Sequence, residues 1–130
     1  MDILVVDDHE ATRREVLSLL EGQEDLHVVG QAASGEEGVR EASRLRPDLI
    51  LMDVVMPGMN GIDASRMIRA SDPTVIILAL SNHTGRNLVK AVLRAGATGY
   101  VRKDQAYEEL LPAIRAVAGG REYVGSRLSD

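Results

Sequence analysis

Five short apolar runs recur along the chain at nearly constant spacing, starting at residues 3, 26, 49, 75 and 98. The runs are Ile3–Val6, Leu26–Gln31, Leu49–Met52, Val75–Leu80 and Thr98–Val101. Each is too short for a helix, and each is followed by enough chain for one. A strand and a helix repeated five times build a parallel sheet, because right-handed crossovers place helices on both faces. The expected fold is therefore α/β, a doubly wound five-stranded parallel sheet of flavodoxin-like order 2-1-3-4-5 with five helices. Its switch point lies between strands one and three, where such sheets present their reactive groups.

The intervening segments carry helix signals. His9 to Leu20 places Val16, Leu17 and Leu20 on one face, and Gly22 stops it. Ser34-Gly-Glu-Glu37 is a capping-box pattern. Gly61–Ala70 and Gly85–Ala95 are the third and fourth helices. In the fifth, Ala106, Leu110, Ala113, Ile114 and Val117 form a stripe. Asp104 is its expected N-cap, and Pro112 predicts a bend or a late start. Leu26–Gln31 is the most polar run and so an edge strand. Residues 1–120 are expected to form one domain, with 121–130 the start of a linker or C-terminal tail.

The strand ends carry the chemistry. Strand one ends in Asp7-Asp8, strand three in Asp53, strand four in Ser81, and strand five in Arg102-Lys103. After Asp53, Pro57-Gly58 and Asn60-Gly61 force turns. Taken alone, Asp53 reads as a capping or solvated aspartate; the convergence at one sheet edge argues otherwise. Three carboxylates within ~4 Å repel by around 4 kcal/mol per pair at an effective dielectric of 20. Protonation relieves that, or a cation does, and a hard oxygen-liganded ion such as Mg²⁺ suits the set. His9, His27 and His83 lack ligand spacing and read as surface or loop residues. With Lys103 and Ser81 added, the edge suits a phosphoryl group. Asp53, on the middle strand, is the candidate nucleophile, and Asp7 and Asp8 are better placed as metal ligands.

Other chemistries lack their motifs. A nucleotide-binding turn needs glycines where this chain has Asp7-Asp8-His9-Glu10, and an aspartate-nucleophile phosphatase needs an acid where Val55 stands. A serine hydrolase needs a Gly-x-Ser-x-Gly elbow, and Ser81 sits in Leu80-Ser81-Asn82. A net charge of −5 without a basic cluster argues against direct nucleic-acid binding. No run is long enough to span a membrane and no leader is evident. With no cysteine either, a cytoplasmic protein is expected.

The whole set resembles the receiver domain of two-component response regulators. Asp7-Asp8, Asp53 with Met56-Pro57-Gly58-Met59-Asn60-Gly61, Ser81, and Ala95-Gly96-Ala97-Thr98-Gly99-Tyr100-Val101-Arg102-Lys103 carry the likeness. Lys103-Asp104, Leu80-Ser-Asn-His83 and Ala113-Ile-Arg-Ala-Val-Ala-Gly-Gly-Arg-Glu-Tyr123 are similar to the NarL/LuxR type. The resemblance implies that Asp53 takes a phosphoryl group from a sensor histidine kinase. It implies Mg²⁺ on Asp8, Asp53 and the Val55 carbonyl, with Asp7 acting through water. Ser81 and Lys103 would contact the phosphoryl oxygens. Tyr100 would be the switch residue, its ring moving from an outward position into space vacated by Ser81. Such a domain is a signalling phosphoacceptor rather than an enzyme, though it promotes its own phosphotransfer and dephosphorylation. It would form a homodimer on phosphorylation, through helices one and five or through helix four with strand and helix five. DNA would be bound only by a C-terminal domain missing from this chain. The alternative is a stand-alone receiver or an unphosphorylated protein-interaction module.

Overall fold

The computed structural model describes residues 1–83 and 85–125. Strands β1 (Asp2–Val6), β2 (His27–Ala32), β3 (Leu49–Asp53), β4 (Ile76–Ser81) and β5 (Gly99–Arg102) alternate with helices. These are α1 (Glu10–Leu20), α2 (Gly35–Leu45), α3 (Gly61–Ser71), α4 (Arg86–Arg94) and α5 (Ala106–Ala118). A sixth strand, β6 (Tyr123–Val124), follows. All neighbours pair in parallel, in the order β2-β1-β3-β4-β5-β6.

The sixth strand corrects the expected five, and the sheet runs past the boundary expected at residue 120. After α5 the chain reverses at Gly120, whose φ is +84°. The Tyr123 amide then donates to the Thr98 carbonyl (3.2 Å) and the Gly125 amide to the Tyr100 carbonyl (2.8 Å). A two-residue strand has no alternation to read, which is why the sequence hides it. Of the expected tail, residues 126–130 lie outside the described residues.

Alternation in the central strands divides the core in two. Leu4, Val6, Ile50, Met52, Ile77, Ala79 and Tyr100 pack with residues of α2, α3 and α4. Ile3, Val5, Leu49, Leu51, Leu78, Leu80 and Val101 pack with α1 and α5. Strands covered on both faces must be apolar throughout, and all five residues of β3 are buried. That burial fixes Asp53, the last residue of β3, at the centre of the sheet's C-terminal edge.

Caps and turns set the loops around that edge. The Ser34 hydroxyl accepts the Glu37 amide (3.1 Å), as the capping pattern predicts. Asn60 caps α3 by accepting the Asp63 amide (2.9 Å). Asp104 does not cap α5: residues 103–105 form a 3₁₀ turn, Gln105 holds the N-cap position, and the Asp104 carboxylate accepts Arg102 Nε at 2.9 Å. The α-helix begins beyond that turn and continues through Pro112 rather than starting there.

Gly61 is the tightest point of the loop after Asp53. Its amide donates to the Val54 carbonyl (2.8 Å), and a Cβ there would lie 2.1 Å from the Asp53 carbonyl oxygen. Backbone cannot yield as a side chain can, so only glycine fits. Gly58, with φ +72°, makes the other turn of this loop. Gly61→Ala is expected to destabilise the domain by about 2 kcal/mol or more in urea unfolding, the range for a forced overlap in a packed site. A change below about 0.5 kcal/mol, the usual scatter of surface substitutions, would refute this close-packing account.

Candidate functional site

Parallel pairing brings the chemical groups together. Val6 lies beside Met52 in the β1–β3 register, so Asp7 emerges next to Asp53. Asp53 is opposite Leu80, and Ser81 is opposite Arg102. The side chains of Asp7 and Asp53 are almost completely buried, and Lys103 reaches between them. Its Nζ is 2.8 Å from Asp7 Oδ2 and 3.1 Å from Asp53 Oδ2. The 3₁₀ turn that displaced Asp104 from its expected capping role begins at Lys103 itself.

The electrostatics follow from that packing. Burial and then the neighbouring Asp7 charge push the Asp53 carboxyl up to about 7, with Lys103 opposing both. Burial works to lower the Lys103 ammonium, but hydrogen bonding to Asp7 and the charges of Asp53 and Asp7 outweigh it and raise it. The lysine therefore stays charged while Asp53 is held near its titration point at neutral pH.

Asp7, Asp8, His9 and Asp53 each offer a ligand atom, and these atoms all lie within 4.8 Å of one another. Buried Asp7 Oδ2 and Asp53 Oδ2 share one donor, the Lys103 ammonium, and buried Asp8 Oδ1 faces His9 Nδ1. A cluster of acidic oxygens short of donors fits a hard divalent cation. His9 is exposed in the loop before α1, as expected of a surface or loop residue. Its ring is 65% exposed, yet Nδ1 faces Asp8 Oδ1 at 3.2 Å and Asp7 Oδ1 at 3.4 Å. Spacing rules look for further His or Cys partners and overlook a histidine directly after two aspartates. Val55 follows two residues after Asp53 in the β3–α3 loop, its side chain 46% exposed.

Arg13 was not singled out from the sequence. One turn into α1, its Nη1 donates to the Asp7 carbonyl (2.6 Å) and its Nε to Gln31 Oε1 (3.1 Å), bracing the end of β1 against β2. As one polar residue on an amphipathic helix, it carries no sequence signal of that role.

Ser81 is buried at the end of β4, and its hydroxyl accepts the His83 amide (3.0 Å). Tyr100 lies on the same sheet face and is fully buried. The outward starting position expected for its ring is not what the structure shows. The residue opposite in β4 is Ala79, whose small side chain leaves room, and the phenol donates to the His83 carbonyl. Burial raises the Tyr100 pKa, with the Ser81 hydroxyl working the other way.

The chain matches the response regulator receiver domain family over residues 3–115. It is 39% identical over 128 residues to the response regulator GacA of Pseudomonas viridiflava, covering 98% of this chain and 60% of that protein. It is 41% identical over 129 residues to the transcriptional regulatory protein LiaR of Bacillus subtilis, covering 98% and 60%. The chain thus spans about 60% of the length of these curated relatives. Its fold superposes on the crystal structure of a LuxR-family two-component response regulator from Aurantimonas sp. SI85-9A1, with TM-score 0.93 and 35% identity. That match covers 98% of this chain and 91% of the other. The chain belongs to the receiver domains of two-component response regulators, of the NarL/LuxR type.

Proposed function

We propose that Asp53 is a phosphoacceptor, taking a phosphoryl group from the phosphohistidine of a sensor histidine kinase. The observation that carries this reading is the burial of Asp53 beside Asp7 with the Lys103 ammonium on both. In the transfer, an Asp53 carboxylate oxygen bonds to phosphorus while the phosphorus–nitrogen bond to the kinase histidine breaks. The released electron pair stays on the imidazole nitrogen, which takes up a proton. Lys103, freed from part of its contact with Asp53, would neutralise charge on the phosphoryl oxygens. Ser81 would donate its hydroxyl to one of them. Asp7, Asp8 and Asp53, with the Val55 carbonyl, would hold Mg²⁺, which when bound lowers the cost of gathering negative charge there.

The domain promotes its own phosphotransfer and dephosphorylation and turns over no other substrate. Ser81 and Tyr100 form the switch. The buried Tyr100 ring is then one of two populated positions even without phosphate, and the new Ser81 contact biases their ratio. The receiver unit takes in residues 1–120 together with the paired strand β6. That one of the longer relatives is a transcriptional regulatory protein supports a DNA-binding output domain in the whole protein, and phosphorylation would pair two receivers through α1 and α5 or through α4 with β5 and α5. Among the described residues no helix is long and apolar enough to cross a membrane, and a cytoplasmic location fits this reading.

Asp53→Asn removes the nucleophilic oxygen. Acetyl phosphate or phosphoramidate with Mg²⁺ should add one phosphoryl mass to the parent chain, and labelling of the variant should fall to background. Undiminished, Mg²⁺-dependent labelling of the variant would assign the acceptor elsewhere.

The raised Asp53 pKa sets a pH dependence of stability. An acid whose folded pKa exceeds its unfolded value stabilises the fold fully below the unfolded value, near 3.9. That contribution is lost as pH rises through the folded value, about 7. In metal-free buffer the urea midpoint of the parent chain should therefore fall between pH 5 and 8 relative to Asp53→Asn. Millimolar Mg²⁺ should remove most of the difference by favouring the carboxylate. Parallel midpoints for the two proteins across that window would show that the burial cost has been misassigned.

A further inference from the structure

A second concave site lies at the opposite edge of the sheet from Asp53, between the C-terminal halves of α2 and α3. Its volume is about 460 Å³, within the ordinary range for small-molecule pockets. Val39 and Ala42 of α2, Ile68 of α3 and Val75 before β4 provide an apolar floor. Arg40, Arg44 and Arg46 stand around it, with Asp72 the one acid in the lining. That aspartate is already engaged, accepting both the amide (2.9 Å) and the hydroxyl (2.7 Å) of Thr74.

Basic residues in the last turn of a helix are ordinary, because they complement its dipole. Arg44 fits that account and pairs with Glu41 at 2.8 Å. Arg40 and Arg46 differ: among the described residues neither guanidinium has a hydrogen bond or a close ion pair, although the Arg46 charge lies near enough to Asp72 to help hold that carboxyl down. Arg46 is moreover the C-cap of α2 in left-handed geometry, φ +46° and ψ +59°. Among the described residues it is the one non-glycine with positive φ. Glycine or asparagine would serve a left-handed cap at lower steric cost. A left-handed backbone carrying a guanidinium without a hydrogen-bond partner over an apolar cavity is an outlier from which function can be inferred.

We propose that this cavity is a binding site for a small anionic molecule with an apolar body, its acid group held by Arg40 and Arg46. Guanidinium groups bind carboxylate, sulfonate and phosphate oxygens through paired N–H donors, and the apolar floor takes the rest of the molecule. The site is separate from the acidic cluster and holds the opposite charge, so its ligand is neither the phosphoryl group nor the divalent cation.

The test uses the full chain, ¹⁵N-labelled, with 1-anilinonaphthalene-8-sulfonate as the probe. Its neutral counterpart N-phenyl-1-naphthylamine has the same apolar body without the sulfonate. Saturable amide shifts at Val39, Ala42, Ile68 and Val75 are expected with the sulfonate. The neutral compound should bind about tenfold more weakly, the loss expected for a charge-assisted contact. Arg46→Asn keeps a residue that tolerates the left-handed cap. It should weaken the sulfonate about tenfold while leaving the neutral probe and the urea midpoint unchanged or the midpoint raised. Equal affinity for both probes, shifts confined to other parts of the sheet, or full retention of sulfonate binding in Arg46→Asn would overturn the proposal.

Discussion

One ammonium group lies between two buried carboxylates, and the site depends on it. At an effective dielectric near 20, two unit charges ~4 Å apart interact by around 4 kcal/mol. Asp7 and Asp53 therefore repel strongly if both ionise, and each is nearly sealed from water. Lys103 offsets the repulsion through contacts of 2.8 and 3.1 Å. Burial first, and then the Asp7 charge, still hold the Asp53 carboxyl up at about 7. A site with one positive charge and several acids is short of cations by construction. Such a shortage favours a divalent ion, and the added negative charge of a phosphoryl group requires further compensation.

The fold supplies this arrangement through register rather than through local motifs. Asp7, Asp53 and Ser81 each come at or just after the last residue of a parallel strand, and Lys103 follows the next strand directly. Parallel strands in neighbouring positions bring such ends to one edge whatever the helices between them contain. The loop beyond Asp53 is then held by backbone packing at Gly61 and by the Asn60 cap. Apolar β3 is thus the anchor, and the charges are tolerated because the strand beneath them cannot move.

What could be read from the sequence is what has periodicity. The five βα units, the switch point and the placement of Asp7, Asp53, Ser81 and Lys103 at strand ends were legible, because strand and helix spacing repeats along the chain. The acid–lysine convergence followed once those ends were aligned. Three features were not legible, for separate reasons. β6 has two residues and no alternation. Asp104 has the right identity for a cap, but a tertiary requirement on Lys103 imposes a 3₁₀ turn first. Arg13 acts through contacts across elements, bracing the carbonyl of Asp7 against Gln31 of β2. Pairwise geometry of that kind leaves no mark in spacing.

The unexpected strand changes how motion at the site can spread. β5 carries Tyr100 and leads directly into Lys103, pairing on one side with β4, which ends at Ser81. On its other side it now pairs with β6 rather than facing solvent. The Tyr100 carbonyl accepts the Gly125 amide while its phenol donates to the His83 carbonyl. One residue therefore ties the loop after Ser81 to the end of β6. Gly99 has room for that pairing because it lacks a Cβ, which would lie 2.9 Å from the Tyr123 carbonyl oxygen and 2.7 Å from Leu78 Cδ1. The Tyr123 hydroxyl closes the arrangement by donating to Glu109 Oε1 of α5 (2.9 Å). A displacement of the Tyr100 ring that left its strand in place would break the His83 contact and core packing but spare the pairing with β6. One that moved the strand would have to carry β6 with it or break its hydrogen bonds. The segment from β6 to Gly125 is thus mechanically part of the sheet that holds Asp53, and not a tether hung beside it.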